Sequence, residues 1–252
     1  ELTNSNGFFL DRTDTKQIFS LYEATGYNES GISGIGHIES LTLAQPLVSK
    51  EKPDMYVTKD SIGSIFTDLK DTRFGIDTTA TKTSSSSSDV LAGGSSTGNT
   101  QYTSNYFTNY NGDLPIFSKI KVIGDGSTTT NLDVFGSSIV LDRLEEIVLL
   151  DAEAMAVLNQ NENAISLLNQ VKANRGVSLY SGEGGNPLIK EIFQERRREL
   201  MGEGWRWFDL VRYNKIVRDN PAFNKLIDEG GIYWPVAQTT LSGEITQNTY
   251  WQ

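Results

Sequence analysis

The sequence predicts helices from about residue 141 to the end, behind a loop-rich first part with short strands. Two observations carry this. After residue 140, apolar residues recur at helical spacing between helix start and stop signals. Residues 1–140 are instead polar, rich in Gly, Ser, Thr, Asn and Tyr, with only short apolar runs.

The strands of the first part are brief. Ile18 to Tyr22 alternates in the manner of a strand, as do Tyr106 to Tyr110 and Ile120 to Ile123. Between them runs Thr83 to Thr103, with serines from Ser84 to Ser88 and the pair Gly93-Gly94. It lacks the apolar residues to fold alone and is expected to be a long loop.

The helices follow in order. Leu141, Leu144, Val148, Ala152, Met155 and Ala156 form the apolar face of the first. Asn161 is placed to cap the second, whose face is Ala164, Leu167, Leu168 and Val171 and whose end falls near Gly176. Ala152 and Ala156 leave room for close backbone approach, and the pair is similar to a tetratricopeptide unit. One copy is visible, so a solenoid is not predicted. Asn186 as cap and Pro187 in the first turn open a third helix, which runs through Ile189, Ile192, Phe193, Arg196 and Leu200. Gly202-Glu203-Gly204 breaks it, and Trp205 to Ile216 resumes as a fourth. Ile232 to Val236 reads as extended, with Pro235 keeping it off a central strand.

Composition excludes several classes of function. Of 252 residues, 37% are apolar and 21% charged, an ordinary globular balance. A formal charge of -10 disfavours nucleic acid and direct binding to an anionic membrane surface. The absence of cysteine removes disulfides, thiolate nucleophiles and Cys-based zinc sites, and His37 is the single histidine. His37 reads as a loop residue, since no Gly-x-Ser-x-Gly elbow supplies a nucleophile for it. The turn Asp125 to Thr128 lacks the spaced acids of a calcium loop. No metal or cofactor is expected. No apolar run approaches the ~20 residues needed to span a bilayer. The chain opens at Glu1 in a polar stretch, without Met, signal peptide or lipidation cysteine, and is expected to be a piece of something longer.

The densest chemistry lies between Glu191 and Tyr213. Glu195 and Arg198, Glu203 and Arg206, and Asp209 and Arg212 are each three apart, a ladder of acid–base pairs interleaved with Leu200, Trp205, Phe208 and Leu210. The expected role is a partly buried ion-pair network locking helices together. Two glutamates could serve a glycosidase only if one had a raised pKa, and a neighbouring arginine keeps each ionised.

This segment resembles the signature of the SusD/RagB family, at Glu195, Arg196, Glu199, Leu200, Glu203, Gly204, Arg206, Asp209, Leu210 and Arg212. The resemblance extends to Arg143, Glu146, Glu153 and Ala154, to the run Leu167 to Ala173, and to Tyr233 to Val236 with Thr246 to Asn248. It is specific from about residue 140 and loose before, Asp71 to Phe74 included.

The resemblance implies a mostly α fold, an α-α superhelix with tetratricopeptide-type helices packed against a loop-rich region with short strands. Residues 1–252 would form the C-terminal region of such a protein, 1–140 its variable part and 141–252 its signature part, with the N-terminal half absent. It further implies capture of a glycan, oligosaccharide or other small nutrient, without catalysis. The site would be the outer-membrane surface of a Bacteroidetes-type bacterium, and the partner a SusC-like TonB-dependent transporter. Membrane attachment would come only through an N-terminal lipid that this chain lacks. The loop-rich part would supply recognition. Tyr102, Tyr106, Asn109 and Tyr110 are the candidate ligand contacts, in a tract shared with Phe107, Asn111 and Asp113. Exposed aromatic faces cover sugar C–H groups while amides bond hydroxyls. The plainer reading of that tract is a strand edge with core tyrosines. Trp205 and Trp207 are expected to pack, and Trp234 and Trp251 to make core and tail contacts. The alternatives are a tetratricopeptide-type protein-interaction scaffold and, less favoured, a carboxylate glycosidase.

Overall fold

The computed structural model describes residues 53–73, 119 and 138–251, with strand segments at 9–10, 17–21, 75–77, 101–103, 107–109 and 115–117. Seven strands are present among these: β1 (Phe9–Leu10), β2 (Gln17–Leu21), β3 (Gly75–Asp77), β4 (Gln101–Thr103), β5 (Phe107–Asn109), β6 (Pro115–Phe117) and β7 (Ser138–Arg143). The α-helices are α1 (Lys59–Ile65), α2 (Leu144–Val157), α3 (Asn161–Asn174), α4 (Asn186–Glu199), α5 (Arg206–Ile216) and α6 (Pro221–Asp228). The fold is mostly α.

The strands form three small antiparallel units. β7 is central in the order β1-β7-β2, while β3 pairs with β4 and β5 with β6. β2 and β5 fall on predicted strands. The predicted loop ends earlier than expected, because Gln101 to Thr103 pairs with β3 as β4. The Ile120 to Ile123 strand and residues 83–100 of the Ser/Gly tract lie outside the described residues.

The first signature helix starts three residues later than the periodicity suggests. Arg143 keeps an extended backbone (φ -138°, ψ 160°), so Leu141 belongs to β7 and is exposed. Leu149 takes the core position instead. Asn159, at φ 60°, turns the chain from α2 into α3. Ala152, Ala156 and Ala164 are buried where the two helices meet, and such small side chains permit close approach. Together with Leu149, Leu168 and Val171, and with Leu188, Ile189, Ile192 and Phe193 of α4, they form one core. Fully burying an aliphatic side chain of this kind contributes about 1.5–3 kcal/mol.

Capping corrects two expectations. Asn161 is already helical, so its side chain cannot reach back to cap α3; its Oδ1 accepts from the Gly185 N–H instead. Asn186 is likewise inside α4, with Gly185 as the cap residue and Pro187 in the first turn. The stop at Gly176 is as expected. Gly176 has φ +69°, its N–H donates to Ala173 O, and the Val177 N–H donates to Lys172 O, closing the helix end.

Gly202 and Gly204, at φ +82° and +84°, separate α4 from α5. After α6 the segment from Tyr233 to Ala237 is irregular rather than a strand. The Gln247 side chain takes the place of a neighbouring strand: Val236 N–H donates to its Oε1 and its Nε2 donates to Val236 O. Trp251 Nε1 donates to Tyr233 O, the expected tail contact. Trp234 is not a core contact. It is 86% exposed, because these bonds fix the backbone on either side while the indole projects outward. Among the described residues, no helix is long and apolar enough to cross a membrane.

Candidate functional site

The signature residues build a buried charge network. One face of α4 carries Glu191, Glu195 and Glu199 at four-residue spacing, and Glu203 follows in the glycine turn. Glu199 is the centre. It receives Arg143 at 2.6 Å, Arg175 at 2.8 Å and Arg73 at 2.9 Å. Arg73 also reaches Glu195 at 2.6 Å and Asp71 at 2.8 Å. Arg143 forks onto both oxygens of Glu203, at 2.8 and 3.0 Å, and Lys119 Nζ pairs with the same carboxylate while donating to Glu199 O and Met201 O. Arginine suits such a hub because its planar fork serves several acceptors at once.

Two of the three locally spaced pairs form. Arg198 meets Glu195 at 2.7 Å, and Arg212 meets Asp209 at 3.0 Å and Glu153 at 2.7 Å. Glu203 and Arg206 do not pair as expected. The positive-φ glycines on each side of Glu203 destroy the helical spacing on which that pair depends, and Glu203 turns inward to Arg143 and Lys119.

The electrostatics follow the geometry. Burial opposes ionisation of Glu199, but Arg175, Arg143 and Arg73 outweigh it and hold the carboxyl well below its ordinary range. Burial likewise opposes Glu195, where Arg73, Arg198 and Lys172 prevail and bring it to about 2. Glu203 is lowered by Arg143 and Lys119 against its burial. Burial pushes Lys119 down to about 8, still protonated at neutral pH. Carboxylates fixed in the ionised form are poor general acids. Among the described residues, no group of His, Cys, Asp or Glu side chains is arranged to hold a metal ion.

Sequence reasoning missed the long-range partners. Arg73 and Asp71, in a stretch read as loosely related, are buried at the hub. Arg175, at the end of α3, carried no visible signal. The candidate contacts are placed only in part. Tyr102 lies on β4 opposite Ile76, and Asn109 lies on β5 opposite Pro115. β4 approaches β5, which brings these two backbone positions into one region. Tyr106 and Tyr110 lie outside the described residues, as do His37 and the turn Asp125 to Thr128. Trp207 packs on Phe223 at 5.9 Å and Trp205 on Phe208 at 6.2 Å between ring centroids, and Trp207 keeps 37% of its surface exposed.

Comparison with known proteins agrees with this architecture. The SusD family's sequence profile matches residues 50–251, so it takes in Asp71 and Arg73 as well as the helices. A SusD superfamily protein of Bacteroides thetaiotaomicron of known structure is 42% identical with a TM-score of 0.73, over 100% of this chain and 48% of that one. A second structure, a SusD homolog from the same species, is 22% identical with a TM-score of 0.56, over 94% and 47%, and shows the fold alone. A SusD-like protein of Formosa agariphila is 37% identical over 109 residues, 40% of this chain and 22% of its own length. The chain thus spans about half the length of these two solved relatives. The family match covers most of the sequence and includes the residues that build the buried hub: the chain belongs to the SusD family.

Proposed function

We propose that the protein captures glycans, without catalysis, at the outer-membrane surface of a Bacteroidetes-type bacterium as partner of a SusC-like TonB-dependent transporter. One observation carries the choice of binding over hydrolysis: Glu195, Glu199 and Glu203 are committed to arginine and lysine, so none of these three carboxylates is a proton donor. In this reading the buried helix core and charge network are scaffold, and Tyr102, Tyr106, Asn109 and Tyr110 are ligand contacts. Attachment to the membrane is through a lipid on a segment outside this sequence.

The test is migration in native gels cast with a panel of soluble polysaccharides, beside a non-binding control protein. Specific retardation by one glycan, lost on alanine substitution of Tyr102, Tyr106 or Tyr110 in folded protein, supports both capture and the assigned contacts. Release of reducing ends from the same glycan would contradict a non-catalytic role. Co-purification with a TonB-dependent transporter from detergent-solubilised membranes tests the partner.

A further inference from the structure

α4 and α5 enclose a groove of about 260 Å³ that the buried network does not fill. Lys190, Arg197 and Arg206 line it. Its carboxylates are engaged: Asp209 with Arg196 at 3.1 Å and Arg212 at 3.0 Å, and Asp219 with the Tyr213 hydroxyl at 2.7 Å. Every other described arginine has a carboxylate within 3.1 Å. Arg197 and Arg206 have none within ion-pair distance among the described residues. In a chain of net charge -10 that pairs its arginines so thoroughly, two adjacent unpaired ones in a groove are an exception.

The surroundings favour an anion there. Arg206 is the first residue of α5, an 11-residue helix whose N-terminus has no side-chain cap, so the positive end of the helix adds to the field. Partial burial lowers the Arg206 pKa, Arg197 pushes the same way, and Asp209 opposes them only in part. An incoming carboxylate or sulfate relieves that repulsion, and a guanidinium fork can bond it through two parallel N–H groups. Phe193 and Tyr213, edge to face at 5.4 Å, add aromatic wall. The volume is at the small end of ligand pockets, a size for one charged ring rather than a peptide helix.

We infer that this groove binds the carboxylate or sulfate ester of an acidic polysaccharide through Arg197, Arg206 and Lys190. The inference rests on the glycan-capture reading and specifies the charge of the glycan. The experiment uses native gels containing polygalacturonate, dextran sulfate or neutral dextran. It is paired with NMR titration of arginine side-chain resonances by glucuronate and by inorganic sulfate. The expected result is retardation by at least one acidic polymer, weakening with salt, with affinity at least tenfold lower in Arg197→Gln/Arg206→Gln. Arg206→Lys, which keeps the charge but not the fork, is expected to fall between. The polymer that responds distinguishes carboxylate from sulfate. Unchanged retardation of acidic polymers in the double variant, with its fold confirmed by circular dichroism, overturns the groove and leaves capture standing. Retardation by neutral dextran alone, without a shift from either small anion, also overturns it. Arginine-dependent binding of a small anion without retardation by any polymer keeps the anion site and contradicts glycan capture.

Discussion

Glu199 holds three arginines that arrive from β7, from the end of α3 and from the stretch before β3, so one carboxylate ties together segments remote in sequence. Removing one partner from a buried ionic cluster leaves uncompensated charge and costs about 3–5 kcal/mol. Glu199→Gln keeps the volume and is expected to lower unfolding stability in urea by about 3 kcal/mol or more, while glycan affinity per folded molecule stays unchanged. A variant as stable as the parent contradicts the hub. Glu195, Glu199 and Glu203 have native pKa values below the ordinary 4.5, so the stability they contribute is present above that value. It is lost as pH falls below there, for Glu195 toward about 2, and circular dichroism during acid titration should follow the loss. Glu146 has the opposite sign. Its Oε2 has no partner, and burial first, then Asp142 and Glu203, raise it to about 7 against Arg196 and Arg143. The ionised form is therefore the costly one: the cost is absent below 4.5, grows as pH rises toward 7 and is complete above. Glu146→Gln should be more stable than the parent at pH 8, by about 1–3 kcal/mol, with the difference gone below pH 4.5. A Gln variant less stable than the parent at pH 8 would mean Glu146 has an ionic partner.

The turn between α4 and α5 sets where the signature points, and its two glycines are not equivalent. A Cβ at Gly202 would sit 2.6 Å from the Phe117 ring, whereas at Gly204 it meets open space. Gly204→Ala is expected to cost about 1 kcal/mol for its left-handed backbone, and Gly202→Ala clearly more, since it adds a clash with a buried ring. Thermal unfolding of the two variants decides this; equal losses would mean Phe117 does not pack there. In the tail, Gln247→Ala removes both bonds to Val236 and should speed hydrogen exchange of the Val236 amide without shifting that of the α2–α3 core. The long helices were legible because an apolar face repeats over 11 to 14 residues in each. The shorter α1 and α6 went unseen although Asn220-Pro221 repeats the Asn186-Pro187 start signal, because seven or eight residues make only about two turns, too few for an apolar face to repeat as it does in the long helices. Local spacing predicted Glu195–Arg198 and Asp209–Arg212 correctly. It could not supply Arg73 or Arg175, whose proximity to Glu199 is created by packing, and it misled at Glu203, where the backbone leaves the helix.

At the scale of the molecule, a core of α2, α3 and α4 and a charge hub beside it hold the helical part together, while β3 pairs with β4 and β5 with β6 in the part proposed for recognition. The sequence motif described the hub and said little about the ligand, because ion pairs that stabilise helices recur at fixed spacing whereas sugar contacts need only an exposed ring and an amide. The division of labour between scaffold and recognition is the central claim, and it has one direct measurement. The parent and Glu199→Gln are run in the polysaccharide gel panel at a temperature where both are folded. The account predicts retardation of both by the same glycan to the same extent, with only the variant's melting temperature reduced. Retardation by no glycan, or loss of retardation in a variant that is fully folded, would contradict it.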